Sequence, residues 1–201
     1  MQAEIITIGD ELLIGQVVDT NSAWLGRTLG EDGIKVTQIT SIQDDADQIS
    51  RTVNEALARV SIVLVTGGLG PTRDDITKHT LAELFGMRLV RDEQVYETVR
   101  RQLAVRGIAF NELNRGQALV PDGCTVLPNR NGTAPGMWFE RGGKILVSMP
   151  GVPFEMKALV TDEVLPRLRT HFSLHANVHR TAITFGLAES ILAERIAPWE
   201  T

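Results

Sequence analysis

The sequence predicts an α/β fold in which helices cover both faces of a mostly parallel central sheet, giving three layers. Short apolar runs of buried-strand character alternate along the chain with amphipathic helical patterns. Polar or glycine-containing turns follow the apolar runs. The 201 residues fit one domain with a short appendage, and 43% apolar and 22% charged residues are ordinary for a globular protein.

The first half of the chain carries the clearest alternation. The runs at 3–10, 34–42 and 61–68 predict strands, because they are short and rich in isoleucine and valine. The segments 19–33 and 44–60 between them place apolar residues at helical spacing and therefore predict helices.

The second half is less regular after two further helical patterns. Helices are predicted at 74–86, 91–107 and, with Pro153 in the first turn, 152–168. Strands are predicted at 124–129, 136–142 and 144–151, with a hairpin turn at Arg141-Gly142-Gly143.

We divide the chain into a main domain, 1–172, and a tail, 173–201. The tail predicts a strand at 177–186 and a short helix at 187–196. It is too short to be a domain, so it is either the start of a second module or an arm that packs on the first.

Composition excludes several classes of protein. No apolar stretch reaches the ~20 residues that cross a bilayer, and the N-terminus does not resemble a signal peptide. The single cysteine, Cys124, excludes an internal disulfide framework and is expected to be a core residue. A net charge of −5 with no basic block gives no sign of nucleic-acid binding. We therefore expect a cytoplasmic protein with neither membrane nor nucleic acid as partner.

Four polar clusters follow predicted strands, where open α/β sheets bind ligands. They are Gly9-Asp10-Glu11, Asp44-Asp45, the stretch TGGLGPTRDD at 66–75, and MPGVPFE at 149–155. If the strands are parallel, these clusters meet at one edge of the sheet.

The stretch 66–75 predicts a phosphate-binding turn. Gly67, Gly68 and Gly70 allow close approach of a ligand to the backbone, whose N–H groups would bind an anion. The stretch matches neither the P-loop nor the dinucleotide fingerprint. The alternative is a plain strand-to-helix turn in which Asp74 and Asp75 cap the next helix.

Carboxylates beside a phosphate are unfavourable unless a cation bridges them. Mg²⁺ is commonly held by one or two carboxylates plus substrate phosphates, and Asp75 with Asp44 or Asp10 could supply them. For Asp44 and Asp45 the alternative is ordinary helix N-capping.

Two other groups of residues have the composition of a site. The turn NRNGTAPG at 129–136 could close over a base or a ribose, or it could be a surface loop. His171, His175 and His179 recur every fourth residue, but the segment is a poor helix, so we do not expect a metal site there.

Together these motifs resemble the N-terminal domain of the competence/damage-inducible CinA proteins. The resemblance covers about residues 1–170 and rests on ITIGDELLIG, DTNSAWL, TGGLGPTRDDIT, LPNRNGTAPG and MPGVPFEM. That domain is similar to the molybdopterin-binding fold of molybdenum-cofactor biosynthesis proteins. RTAITFGLAESILAERI resembles the start of the middle domain of CinA proteins.

The resemblance implies roles for particular residues. Asp75 and Asp44 match an acidic pair associated with metal binding and catalysis, and Asp10 matches a further acidic position. The remaining residues implied to contact the ligand are Asn21, Thr66, Gly67, Gly68, Gly70, Pro71, Thr72, Asp74, Gly132, Thr133, Gly136, Pro150, Gly151 and Glu155.

The resemblance also implies an activity. We expect a pyrophosphatase that uses a divalent metal ion (Mg²⁺, Mn²⁺ or Co²⁺) to hydrolyse ADP-ribose to AMP and ribose 5-phosphate. One alternative is binding or adenylylation of molybdopterin, and another is a non-catalytic nucleotide-binding module. In each case the ligand is a nucleotide or a pterin. Related folds form dimers or trimers, so a homo-oligomer is expected on this resemblance alone.

Overall fold

A computed structural model describes residues 1–72, 75–173 and 183–199. Its strands are β1 (Gln2–Ile8), β2 (Lys35–Ile42), β3 (Ile62–Thr66), β4 (Leu89–Arg91), β5 (Leu119–Pro121), β6 (Thr125–Leu127), β7 (Gly136–Arg141) and β8 (Lys144–Met149). The main sheet has the order β2-β1-β3-β8-β7-β6, and β4 pairs with β5 in a small separate sheet. The α/β class predicted from the sequence is confirmed.

The helices follow the predicted alternation. They are α1 (Asp10–Leu13), α2 (Thr20–Glu31), α3 (Ala46–Arg59), α4 (Thr77–Leu84), α5 (Glu93–Val105), α6 (Glu112–Gly116), α7 (Pro153–Leu159), α8 (Leu165–Phe172) and α9 (Glu189–Ile196). Aspartates begin three of them: the side chains of Asp19, Asp45 and Asp92 accept hydrogen bonds from N–H groups in the first turn.

Four strands of the main sheet run parallel: β1 pairs with β2 and with β3, and β3 pairs with β8. Their carboxyl ends therefore lie at one edge, as the sequence predicted for the polar clusters. β7 is antiparallel to both β8 and β6. The hairpin turn predicted at Arg141-Gly142-Gly143 joins β7 to β8, with Gly142 and Gly143 between the paired residues Arg141 and Lys144.

The central strands of the sheet are buried on both faces. On one face α2, α7 and α8 cover alternate strand residues such as Ile5 and Leu64. On the other, α3 and α4 cover the neighbours of those residues, such as Ile6 and Val65. The side chains of a strand alternate between its two faces, and apolar helix residues cover both faces of β3. Every residue of β3 is therefore buried.

The long helix predicted at 152–168 contains an interruption that the pattern did not reveal. Between α7 and α8 the backbone forms a π turn at Val160–Val164, in which the N–H of Leu165 donates to the carbonyl of Val160. The next residue, Pro166, has no N–H for the usual bond four residues back, and the wider turn accommodates its ring.

A third apolar cluster forms beside the main sheet. It joins α5, through Val95, Val99 and Leu103, to Ala118 and Val120 in and next to β5. Half-buried Cys124 packs at its border, and burial raises the pKa of this thiol to about 11, in agreement with the expected packing role. The sequence predicted α5 but not the short elements α6, β4 and β5 of this unit.

In the tail, the predicted helix is present as α9, whereas most of the predicted strand at 177–186 lies outside the described residues. No helix in the ranges that the structure describes has the length and apolar character needed to cross a membrane.

Candidate active site

A cleft of about 520 Å³ opens at the edge where β1, β2, β3 and β8 end. Each of the four predicted polar clusters contributes to its wall. Of the predicted site residues, those that line it are Asp44, Gly67, Gly68, Gly70, Pro71, Asp75, Gly132, Thr133, Pro150, Gly151 and Glu155.

The turn after β3 needs its first two glycines. Gly67 has φ 119° and Gly68 has φ 63°, both in the region that disfavours side chains. A Cβ on Gly67 would also overlap the carbonyl oxygen of Ile8, and one on Gly68 would overlap the Thr77 hydroxyl. The backbone of this turn therefore packs directly against the end of β1.

Several N–H groups of this turn are already used within the protein. Gly67 donates to the carbonyl of Met149 at 3.0 Å, and Gly70 and Thr72 donate to Asp75. Within the described part of the chain, the N–H groups of Gly68 and Leu69 have no acceptor. The anion-binding capacity of the turn is thus smaller than its glycine content indicated.

Asp75 holds the turn closed. Its Oδ1 accepts from the N–H of Gly70 at 2.7 Å, and its Oδ2 accepts from the N–H and the hydroxyl of Thr72 at 2.9 and 2.5 Å. The residue before α4 is Ile76, and no side chain caps that helix. The alternative in which Asp75 is a helix cap is therefore wrong; its carboxylate fixes the turn and faces the cleft.

Asp44 and Asp75 lie against the same turn. An oxygen of Asp44 lies 2.7 Å from where a Cβ on Gly68 would be, and an oxygen of Asp75 lies 2.5 Å from the corresponding point on Gly70. Asp45, not Asp44, caps α3, so capping does not account for Asp44. Within the described ranges, no three His, Cys, Asp or Glu side chains are grouped closely enough to hold a metal ion by themselves.

Asn129 organises the predicted turn at 129–136. Its Oδ1 accepts from the N–H groups of Asn131 and Gly132, and its Nδ2 donates to the carbonyl of Ala134 and, at 2.7 Å, to Glu155. The turn is therefore attached to α7 and is not a free surface loop. It also holds the Glu155 carboxylate at the wall of the cleft.

Asn21 and Thr66 lie in a smaller pocket of about 100 Å³ beside the cleft, and Gly151 borders both. Asn21 donates to the carbonyl of Gly151 at 2.8 Å, and the Thr66 hydroxyl donates to that of Pro150 at 2.9 Å. These two residues join the start of α2 to the loop after β8.

The remaining predicted residues lie elsewhere. Asp10 is exposed on α1, and its neighbour Glu11 lines the cleft. Thr72 binds Asp75 as described above, and Gly136 is buried against Leu127 and Leu159. Asp74, His175 and His179 lie outside the described residues. The ring of His171 contacts Trp138 and Phe172.

Sequence reasoning missed Arg106 and Gln117, which also line the cleft, and Lys78, which binds the residue before Gln117. Arg106 donates to the carbonyl of Asn131 at 3.0 Å, and the Lys78 ammonium donates to the carbonyl of Gly116 at 2.8 Å. Burial lowers the pKa of Lys78 to about 8, against the opposing influence of Asp75. No local motif marks Arg106 and Gln117, because contacts of the third apolar cluster bring their segments to the cleft.

Comparison with known proteins defines the class. The family model described as "Probable molybdopterin binding domain" matches residues 4–170. The fold is shared with the crystal structure of the molybdopterin biosynthesis enzyme MoaB from Thermus thermophilus, with a TM-score of 0.57 and 19% identity, over 86% of this chain and 96% of that one.

Two further relatives narrow the class. The crystal structure of the protein CinA from Thermoplasma acidophilum superposes with a TM-score of 0.74 and 36% identity, over 80% of this chain and 94% of that one. A CinA-like protein from Cytophaga hutchinsonii is 48% identical over 98% of this chain and 47% of its own length. The chain belongs to the CinA family of molybdopterin-binding-domain proteins. It spans about half the length of the curated relatives it matches.

The close packing of the turn against β1 predicts a large effect of Gly67→Ala. We expect the free energy of unfolding to fall by roughly 3 kcal/mol or more, because a strained φ is combined with overlap on a backbone oxygen. Gly86→Ala is the matched control: Gly86 also has a positive φ of 68°, but a Cβ there meets nothing within 4 Å. Its expected loss is about 1 kcal/mol. Equal losses in urea denaturation of the two variants would contradict this account.

The lowered pKa of Lys78 predicts a pH-dependent difference between the wild type and Lys78→Met. Between about pH 8 and pH 10.5 the unfolded chain holds a proton at Lys78 that the folded chain has released. Wild-type stability should therefore rise relative to that of the variant across this window, and the difference should be flat below it. Loss of the hydrogen bond to Gly116 adds a constant to the difference in unfolding free energy between the two proteins. The test is therefore the slope of this difference against pH. Chemical denaturation at several pH values measures it, and a flat difference from about pH 7 to about pH 11 would refute it.

Proposed function

We propose that this chain is a divalent-metal-dependent pyrophosphatase that hydrolyses ADP-ribose to AMP and ribose 5-phosphate. The observation that carries the proposal is the placement of two carboxylates, Asp44 and Asp75, against alternate glycines of one turn in a strand-edge cleft. The fold supports a nucleotide or pterin ligand at this edge.

The charges of the cleft favour a cation brought together with a phosphate ligand. Asp44, Asp75, Glu11 and Glu155 line it, and Arg106 is the basic side chain among its described lining residues. A bare diphosphate would be repelled by this surface. Mg²⁺ needs only one or two protein carboxylates when substrate phosphates and water complete its shell, so the residues present fit such an ion.

In this proposal Asp75 holds the metal ion and Asp44 is either the second ligand or the base. When bound, the ion would neutralise the diphosphate and polarise its P–O bonds. The oxygen of a water molecule attacks one phosphorus from the side opposite the bridging anhydride oxygen. The bond between this phosphorus and the bridging oxygen then breaks. The proton from water passes to a carboxylate. Asp44, in the wall of the cleft, is one candidate for this base, and the exposed Asp10, which does not line the cleft, is the other. The N–H groups of Gly68 and Leu69 remain to bind phosphate oxygens.

A pterin function is the second candidate, and the match of residues 4–170 to the molybdopterin-binding family model favours it. The same turn would then hold the phosphate of molybdopterin. Tight binding of molybdopterin, without turnover of ADP-ribose, would reverse the order of the two candidates. A nucleotide that raises the melting temperature without hydrolysis at any metal concentration would instead indicate a binding module.

The direct test is incubation of the protein with ADP-ribose and Mg²⁺, Mn²⁺ or Co²⁺, followed by chromatography. We expect equal amounts of AMP and ribose 5-phosphate to form, and chelation of the metal to stop the reaction. Unchanged ADP-ribose with all three metals would refute the proposal.

Asp75→Asn separates catalysis from support of the turn. Asparagine keeps one acceptor oxygen, but its NH2 group would face one of the N–H donors of the turn, so the free energy of unfolding should fall by about 2 kcal/mol while the protein stays folded. Turnover should fall by about 10²-fold or more, because the metal loses a charged ligand. Asp45→Asn removes a charge next to Asp44 but keeps the cap of α3, and both stability and turnover should stay unchanged. Equal turnover in the two variants would remove Asp75 from the reaction.

A further inference from the structure

Gln117 is a buried amide at the wall of the cleft. Its side chain is only 3% exposed, it lines the cavity, and its Oε1 is buried without a hydrogen-bond partner among the described residues. A buried acceptor with no donor is costly, and such atoms are rare in folded proteins.

The backbone around Gln117 is fixed, so the lone acceptor does not result from a loose segment. Its N–H donates to the carbonyl of Asn114, and the carbonyl of the preceding Gly116 accepts from Lys78 at 2.8 Å. On the other side, Ala118 is fully buried and its carbonyl accepts from the N–H of Asp92. Gln117 is held from both directions with its amide at the cleft.

Two other buried acceptors without a donor, in Ser148 and Gln102, have a different setting. The hydroxyl of Ser148 is enclosed within β8, and Ser148 does not line the cleft. The amide of Gln102 already donates through its nitrogen to the carbonyl of Asn129. Gln117 is therefore positioned so that a molecule in the cleft can supply the missing donor.

We infer that Gln117 binds the organic part of the ligand, by accepting a hydrogen bond from a hydroxyl or amino group. A phosphate oxygen is itself an acceptor and cannot satisfy Oε1. A sugar hydroxyl or the amino group of a base can. This inference rests on the proposed function, because it assigns Gln117 to the sugar or base of the same ligand. Gln117 is then the residue that distinguishes a nucleotide from inorganic pyrophosphate.

The test compares two ligands that resist hydrolysis: the methylene-bridged analogue of ADP-ribose and methylenediphosphonate, each with Mg²⁺. Calorimetry gives their dissociation constants, and the ratio of the two is the observable. In Gln117→Met, which keeps the size but removes the acceptor, we expect about tenfold weaker binding of the ADP-ribose analogue and unchanged binding of methylenediphosphonate.

Two variants make the test specific. Gln117→Glu keeps an acceptor and adds a charge that acts on both diphosphates, so the ratio should stay near the wild-type value. Ser148→Ala removes a buried unpaired hydroxyl away from the cleft and should change neither constant. Melting temperatures of all variants show whether each protein is folded.

An unchanged ratio in Gln117→Met overturns the inference, as does an equal loss for both ligands or a wild type that does not prefer the ADP-ribose analogue. Hydrolysis of ADP-ribose itself is measured separately. Turnover with an unchanged ratio leaves the proposed function and removes the role of Gln117. A shifted ratio without turnover keeps the role of Gln117 and removes the hydrolase.

Discussion

Parallel pairing of β3 between β1 and β8 determines the rest of the molecule. β3 is buried on both faces, and the turn that follows it packs so closely on β1 that a side chain on Gly67 would overlap the carbonyl of Ile8. The same pairing brings the segments after β2 and β8 to this edge. The position of the cleft thus follows from the strand order, and the backbone of the turn after β3 forms part of its wall.

Much of the polar chemistry at this edge serves the protein itself. Asp75 accepts three hydrogen bonds from its own turn, and Asn129 makes four contacts that hold the 129–136 turn and Glu155. These bonds fix the walls before any ligand arrives, which lowers the entropic cost of binding. They also leave fewer backbone donors for an anion than a glycine-rich sequence indicates. A cation therefore has a larger part in the proposed binding of diphosphate.

The unit formed by α5, α6 and the small sheet gives the cleft its second wall. Arg106 and Gln117 come from this unit, and Lys78 of α4 connects to it by donating to the carbonyl of Gly116. The strand-edge half of the cleft supplies carboxylates and glycines, whereas this half supplies an amide and a guanidinium.

The sequence alone determined the layered fold and the strand-edge position of the candidate site. Periodicity identifies buried strands and amphipathic helices. The rule that ligands bind at the carboxyl ends of parallel strands then predicts where the candidate site lies. It also singled out Asp44, Asp75 and the glycines of 66–75, because these residues are adjacent in sequence to the strands that position them. The π turn before Pro166 escaped the pattern, since a helix that widens by one residue keeps its apolar face.

Tertiary structure alone decided which polar groups are free to act. Whether Asp75 caps a helix or closes a turn depends on where α4 begins, and whether Gly67 offers its N–H depends on the carbonyl of Met149, which lies far along the chain. Gln117 carries no local signal at all. Its burial and its unpaired oxygen arise from contacts between segments distant in the chain, and a linear pattern contains no information about how such segments satisfy one another's hydrogen bonds.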